Sequence, residues 1–299
     1  MKLFSNRFRS GRENTLLFRS KMRLACIFTL LTALSACNGG MEESPGKLGA
    51  SSGAGPAKPT ATAAREGEQI IERYRTLDKS SDSTTKLRAK IRESNGETRD
   101  IHLNIYRKRE SDGQVHMLVE FTAPDQERDR AALLAISPDG ALQATRYAQS
   151  NNTFITATDV VGEDSLFGMT LQELADGQPE KYDFTLKGEE SKGSSSMYRV
   201  EGTLKEGAES KFPRIVMLIS KENSTLLGAE FYDRQNELIR RVSIDEAKQV
   251  DGHWTRMQWT IENRARQKTI EFKVLNVTYD QKLGASLFTQ EHLKSLASR

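Results

Sequence analysis

A chain of 299 residues with 44 Lys and Arg against 41 Asp and Glu is close to neutral, and its small basic excess is unevenly placed. Seven of the basic residues and one acidic residue fall in 1–36, so from position 37 onward 37 basic residues face 40 acidic ones, a formal net charge of −3. That balance excludes an electrostatic case for a nucleic-acid partner, which needs a basic face or stripe.

The first element is a leader. Arg19, Lys21 and Arg23 precede an apolar run of about 13 residues that closes at Leu34-Ser35-Ala36-Cys37. Basic, apolar and small-residue segments in that order make a secretory signal. The run is short of the roughly 18–20 residues a membrane span needs. A cysteine directly after the small residues resembles a bacterial lipoprotein signal, in which Cys37 is acylated and becomes the mature N-terminus. An ordinary signal with a chance cysteine is the bland alternative. Met22 is as good a start as Met1, so residues 1–21 read as an upstream extension. Cys26 is then lost with residues 1–36 and Cys37 carries lipid, leaving no disulfide in an oxidising compartment.

Residues 37–64 form the lipidated N-terminus and a linker rich in Gly, Ala, Ser and Pro. Such a composition cannot bury enough apolar surface to offset its ordering entropy, so a flexible tether is expected. It reaches ~90 Å at full stretch and spans ~30 Å on average. Asn38 follows the acylated cysteine; under the familiar sorting rule an aspartate there would favour inner-membrane retention. The expected location is therefore the bacterial envelope, anchored by Cys37 at the outer membrane and facing the periplasm.

Residues 65–299 read as one domain. Ile70, Ile71, Tyr74 and Leu77 give Arg65–Asp78 a helical apolar face. The period then changes to two. Leu87, Ala89 and Ile91 alternate with Lys86, Arg88, Lys90 and Arg92, and Ser94-Asn95-Gly96-Glu97 supplies a hairpin turn. Ile101, Leu103 and Ile105 continue, then Val115, Met117, Val119 and Phe121. The same grammar recurs from Tyr182 to Tyr279, with a phase change at Val274 to Leu275 and Val277 that suggests a β-bulge. Eleven to thirteen strands follow, nearly all joined by short turns. A meander with one apolar and one charged face must curl to cover the apolar one, so a barrel or deeply curved sheet is expected.

One stretch breaks the rhythm. Thr170 and Glu173 fit a capping box and Gly177 a C-terminal cap. Leu166, Phe167, Met169, Leu171 and Leu174 give this insert an apolar face, either as a core-capping helix or as a mobile lid over an acyl cavity.

His102, His116, His253 and His292 have no ligand spacing, and His102 and His116 sit on the charged phase of their strands. There is no Gly-x-Ser-x-Gly elbow, no phosphate-cradling loop and no nucleophile–base arrangement. Trp254 and Trp259, five apart on one strand, are expected on opposite sides, Trp259 in the core and Trp254 at the rim. Nothing recommends an enzyme, and no cofactor or metal is implied.

From about Lys86 onward the chain resembles the outer-membrane lipoprotein-sorting proteins, the LolA-like group that includes the anchored acceptor LolB. The resemblance is carried by Phe121-Thr122-Ala123-Pro124-Asp125 with Ala132-Leu133-Leu134, by Phe167-Gly168 running into Leu171–Leu174, by Val250-Asp251-Gly252-His253-Trp254, and by Phe288-Thr289 with Leu293. It implies a mainly β fold, a half-open antiparallel barrel of about eleven strands with short α-helices covering the open side. It also implies an interior that accepts lipid or lipoprotein acyl chains. Tethering at Cys37 departs from the soluble carriers of the group and moves the analogy toward a membrane-fixed acceptor. The rival expectation is a sensor or structural module that uses the same barrel to bind an envelope protein.

Overall fold

The computed structural model of the protein describes residues 60–128, 130–158, 179–193, 195–208 and 210–297. The chain divides into two units, Met1–Gly55 and Pro56–Arg299, and every described residue belongs to the second.

Helix α1 (Ala61–Arg75) begins at Ala61 rather than Arg65 and stops at Arg75 rather than Asp78. The Thr60 hydroxyl accepts from the Ala63 amide at 3.3 Å, so an N-cap lies upstream of the apolar periodicity that marked the helix. Strands β1 (Asp82–Arg92), β2 (Thr98–Arg109), β3 (Val115–Ala123), β4 (Ala131–Ile136), β5 (Leu142–Ala148) and β6 (Thr153–Thr158) form a first meander. A second comprises β7 (Tyr182–Lys192), β8 (Ser195–Leu204), β9 (Arg214–Ser220), β10 (Leu226–Tyr232), β11 (Leu238–Val250), β12 (His253–Asn263) and β13 (Lys268–Tyr279). A short helix, α2 (Gln290–Leu296), closes the described chain.

Among the described residues the thirteen strands make one sheet in the order β6-β5-β4-β3-β2-β1-β13-β12-β11-β10-β9-β8-β7. The sheet is open rather than closed, with β6 and β7 at its edges. It exceeds the eleven strands of the resemblance and reaches the upper end of the count from alternation. The first and last strands pair at its centre, so the two meanders spread from a β1–β13 seam.

Alternation sets the faces. In β1, Leu87, Ala89 and Ile91 are buried while Lys86, Arg88, Lys90 and Arg92 are exposed. The turn after β1 forms as expected, with the Glu93 amide donating to the Glu97 carbonyl at 2.9 Å. The expected bulge is present: Lys86 pairs with Asn276 but Leu87 with Val274, which leaves Leu275 out of register and 50% exposed. Between β11 and β12, Asp251 and Gly252 both take positive φ (51° and 82°), the conformation a tight hairpin turn needs.

The helices sit on opposite faces. Ile70 and Ile71 of α1 pack against Tyr182, Phe184, Val200 and Met217, on the face that also carries Val274, Leu87 and Leu134. Gly67 makes this contact possible, because a Cβ there would lie 2.7 Å from the Thr185 Cα. Glu68 then accepts the Phe184 amide at 2.6 Å, satisfying a donor on the sheet's edge strand. Leu293 and Leu296 of α2 instead cover Leu118, with Tyr106, Leu133, Tyr147 and Phe154 around them, on the far side of the first meander. The LolA-like expectation of helices over the open side is thus met by α1, while α2 forms a second layer behind the sheet.

Candidate functional site

The curled face holds a hollow of about 580 Å³. Its floor is apolar: Leu87 from β1, Ile105 from β2, Met117 from β3, Trp259 from β12, and Phe272 and Val274 from β13. Trp259 stacks on Phe272 with ring centroids 4.7 Å apart and planes 12° from parallel. These residues come from both meanders and meet because the sheet curls about its seam. A volume of this size falls within the range of small-molecule sites.

The mouth lies where β1, β3 and β12 begin and where β2 and β13 end. There the inward row of β2 changes from Ile101, Leu103 and Ile105 to Arg107 and Arg109, and α1 brings Arg75 and, just beyond it, Asp78. Asp78 faces Arg107 at 3.0 Å and Arg109 at 3.7 Å, and its carboxylate accepts the Ser80 hydroxyl at 2.5 Å. Burial pushes the Asp78 carboxyl up, but Arg107, Ser80 and Arg109 together outweigh it and hold it below the usual aspartate value. The Tyr279 hydroxyl meets Thr255 Oγ1 at 2.6 Å, and burial makes it a weaker acid than a free phenol, pushing its pKa up. Just outside, Asp280 accepts the Ser81 amide at 2.7 Å and pairs with His253 Nε2 at 3.2 Å. The Ser81 hydroxyl also donates to Asp280, at 2.9 Å, and the two hydrogen bonds from Ser81 lower the Asp280 carboxyl.

A register shift sets the aromatic rim. Partners run Ile244–Trp259, Glu246–Gln258 and Ala247–Arg256, so Asp245 and Met257 have no counterparts and strict alternation of β12 is broken there. Trp254 and Arg256 therefore line the same hollow as Trp259, with the Arg256 guanidinium 5.5 Å from the Trp259 ring. The expectation that Trp254 and Trp259 fall on opposite sides is corrected by this bulge, which no composition signal announced. Trp254 is at the rim as expected.

A smaller adjoining hollow of about 70 Å³ lies between Phe212, Phe231, Arg240 and Trp259. Arg240 is 7% exposed, with its guanidinium 4.6 Å from the Phe212 ring.

Cys37 and the insert residues Leu166, Phe167, Met169, Leu171 and Leu174 lie outside the described residues. His102 stands beside Asp100 at 3.5 Å on the outer face, 43% exposed. His116 shares that face but lies 6.2 Å from the Phe288 ring, in the layer that α2 adds there. Among the described residues no group of three His, Cys, Asp or Glu is placed to hold a metal ion, and no helix is long and apolar enough to cross a membrane.

Comparison with other proteins bears on the fold. A family model for the DUF1329-like proteins, described as uncharacterized, matches residues 113–295, more than half of the chain. No curated protein matches by sequence. Among solved structures, a DUF1329 family protein from Desulfovibrio piger aligns with a TM-score of 0.71 at 21% identity, covering 77% of this chain and 99% of its own. An outer membrane lipoprotein-sorting protein domain from Vibrio parahaemolyticus gives 0.71 at 19%, with the same coverage. A LolA superfamily protein from Nitrosomonas europaea gives 0.61 at 13%, covering 76% and 98%. The fold is LolA-like.

Proposed function

This chain belongs to the DUF1329-like family, and from that premise we propose that it is an envelope lipoprotein whose cleft binds lipid or the acyl chains of lipoproteins. In this reading Cys37 anchors it to the outer membrane, the linker sets its reach into the periplasm, and the cleft serves lipoprotein sorting or transfer without catalysis.

The observation that carries the proposal is the hollow of about 580 Å³ floored by Leu87, Ile105, Met117, Trp259, Phe272 and Val274. A well-packed domain of this kind fills its interior, since a missing contact costs stability. An apolar concavity that the described residues leave open suits an apolar occupant. About ten methylenes buried there would gain ~8 kcal/mol, enough to offset the ordering cost of a flexible chain and leave useful affinity. No catalytic group is needed for that. The likeness to a lipoprotein-sorting domain supports the same reading through its fold.

The test is mass spectrometry of lipid carried through purification of the protein from its own envelope, together with titration of a neutral fluorescent lipid probe. Co-purified acyl lipid and saturable probe binding are expected. A lipid-free protein that also fails to bind the probe defeats the proposal. A stoichiometric protein crosslinked in cells, with no lipid, would turn the reading toward an interaction module.

A further inference from the structure

We propose, resting on the lipid-binding reading above, that the ligand of the cleft is an anionic amphiphile whose tail lies on the apolar floor and whose negatively charged head is held at the mouth by Arg75, Arg107, Arg109 and Arg256. Three observations carry this. The first is the gradient along the walls: the inward row of β2 runs from Ile101, Leu103 and Ile105 to Arg107 and Arg109, and β12 runs from Trp259 back to Arg256 and Trp254. An amphiphile entering tail first meets apolar surface at depth and guanidinium groups where its head remains.

The second is the sign of the mouth. Four arginines line it against two carboxylates, Asp78 and Glu180, among the described residues. Both carboxylates already face arginines: Asp78 lies 3.0 Å from Arg107, and Glu180 lies 3.6 Å from Arg75. A cleft with low-dielectric walls focuses the field of such an excess and raises the local concentration of anions. The third is Arg75 Nε at the wall of the hollow, a buried donor that faces the Glu180 carboxylate at 3.6 Å but makes no hydrogen bond. A buried donor left so is costly, and an acceptor oxygen on a ligand head would satisfy it. The planar guanidinium fork fits a carboxylate or a phosphate in two-point fashion. Trp254 at the rim adds an amphipathic ring suited to the boundary between tail and head.

The experiment displaces a neutral fluorescent probe from the full chain with competitors that share one cis-monounsaturated hydrocarbon tail. Oleate supplies a carboxylate and oleoyl lysophosphatidate a phosphate, while oleyl alcohol is the neutral reference. An anionic competitor is expected to act at about tenfold lower concentration than the alcohol, the factor one charge-assisted hydrogen bond supplies. That ratio should shrink as salt is raised. Which anion wins identifies the head. In Arg109→Glu and Arg256→Gln the anion-to-alcohol ratio should fall toward one. Because the ratio compares ligands on one protein, a partly destabilised variant still reports. Equal competition by acid and alcohol in the wild type overturns this inference and leaves lipid binding standing; failure of the probe to bind at all overturns lipid binding itself.

Discussion

The two ends of the curled face are built from the same alternating strands, yet one is packed under a helix and the other holds the larger hollow. Over β7 to β9, α1 lays Ile70 and Ile71 onto Phe184, Val200 and Met217, and all five are buried. Around the β1–β13 seam the equivalent inward rows end on Ile105, Trp259 and Tyr279, which are only partly buried, and the space above them is the cleft. Strand phase decides which side chains face inward. Whether they make a core or a binding site depends on whether an element covers them, as α1 does among the described residues at the packed end. A half-open barrel thus gains its stability from one end and keeps its capacity at the other.

The sharpest way to break this comparison is the same substitution at each end. Ile71→Ala removes a fully buried side chain from the packed end and should cost ~3 kcal/mol, whereas Ile105→Ala on the cleft wall should cost ~1 kcal/mol. Urea unfolding midpoints at constant m-value measure both. Equal costs would mean that the cleft is packed like the rest. Gly67→Ala comes next. Alanine favours a helix by up to ~1 kcal/mol, but its Cβ would stand 2.7 Å from Thr185 backbone atoms that have no rotamer to escape through. A net loss of ~1–2 kcal/mol is expected, and any gain in stability would show α1 free to lift. A smaller effect tests the hollow end. Thr85 lines the cleft, so Thr85→Leu adds apolar volume into open space. Stability should change by less than ~1 kcal/mol, while the capacity for a fluorescent lipid probe falls.

Much of this division was legible in the residues. The inward set of β1 to β3, the Asn95-Gly96 turn, the bulge at Leu275 and the helical face of Ile70, Ile71 and Tyr74 all follow from period and turn chemistry. What alternation hides is coverage. Leu118 and Leu133 sit between inward residues and look like solvent positions, yet both lie under α2, whose Leu293 is 1% exposed. The continuous apolar runs Met117-Leu118-Val119 and Ala131 to Ile136 were the available sign that both faces of that meander are covered. The cationic mouth was equally hidden. Arg107, Arg109 and Arg256 are ordinary strand-end charges in the sequence, and only the sheet's curl and the broken register of β12 bring them to one opening. Their number says nothing without that geometry.

The smallest expected effect concerns the acid at that opening. Asp78 is raised by burial but lowered further by Arg107, Ser80 and Arg109, so its folded value lies below the ordinary 3.8. A carboxyl depressed on folding stabilises the protein above its unfolded value, and that contribution disappears as pH falls through the folded one. With the side chain 43% exposed, solvent screens the pairs and the contribution is small. Stability of the wild type should therefore fall slightly more steeply than that of Asp78→Asn as pH drops from about 5 toward 3. At pH 7 the same variant removes one of the two negative charges that the described residues bring to the mouth, which should strengthen displacement by oleate while leaving oleyl alcohol where it was. If Asp78→Asn weakened oleate instead, the aspartate would be orienting Arg107 for the ligand rather than competing with it. The packed end would then still supply the stability, but the mouth would have to be described as a preset clamp and not as an excess of positive charge.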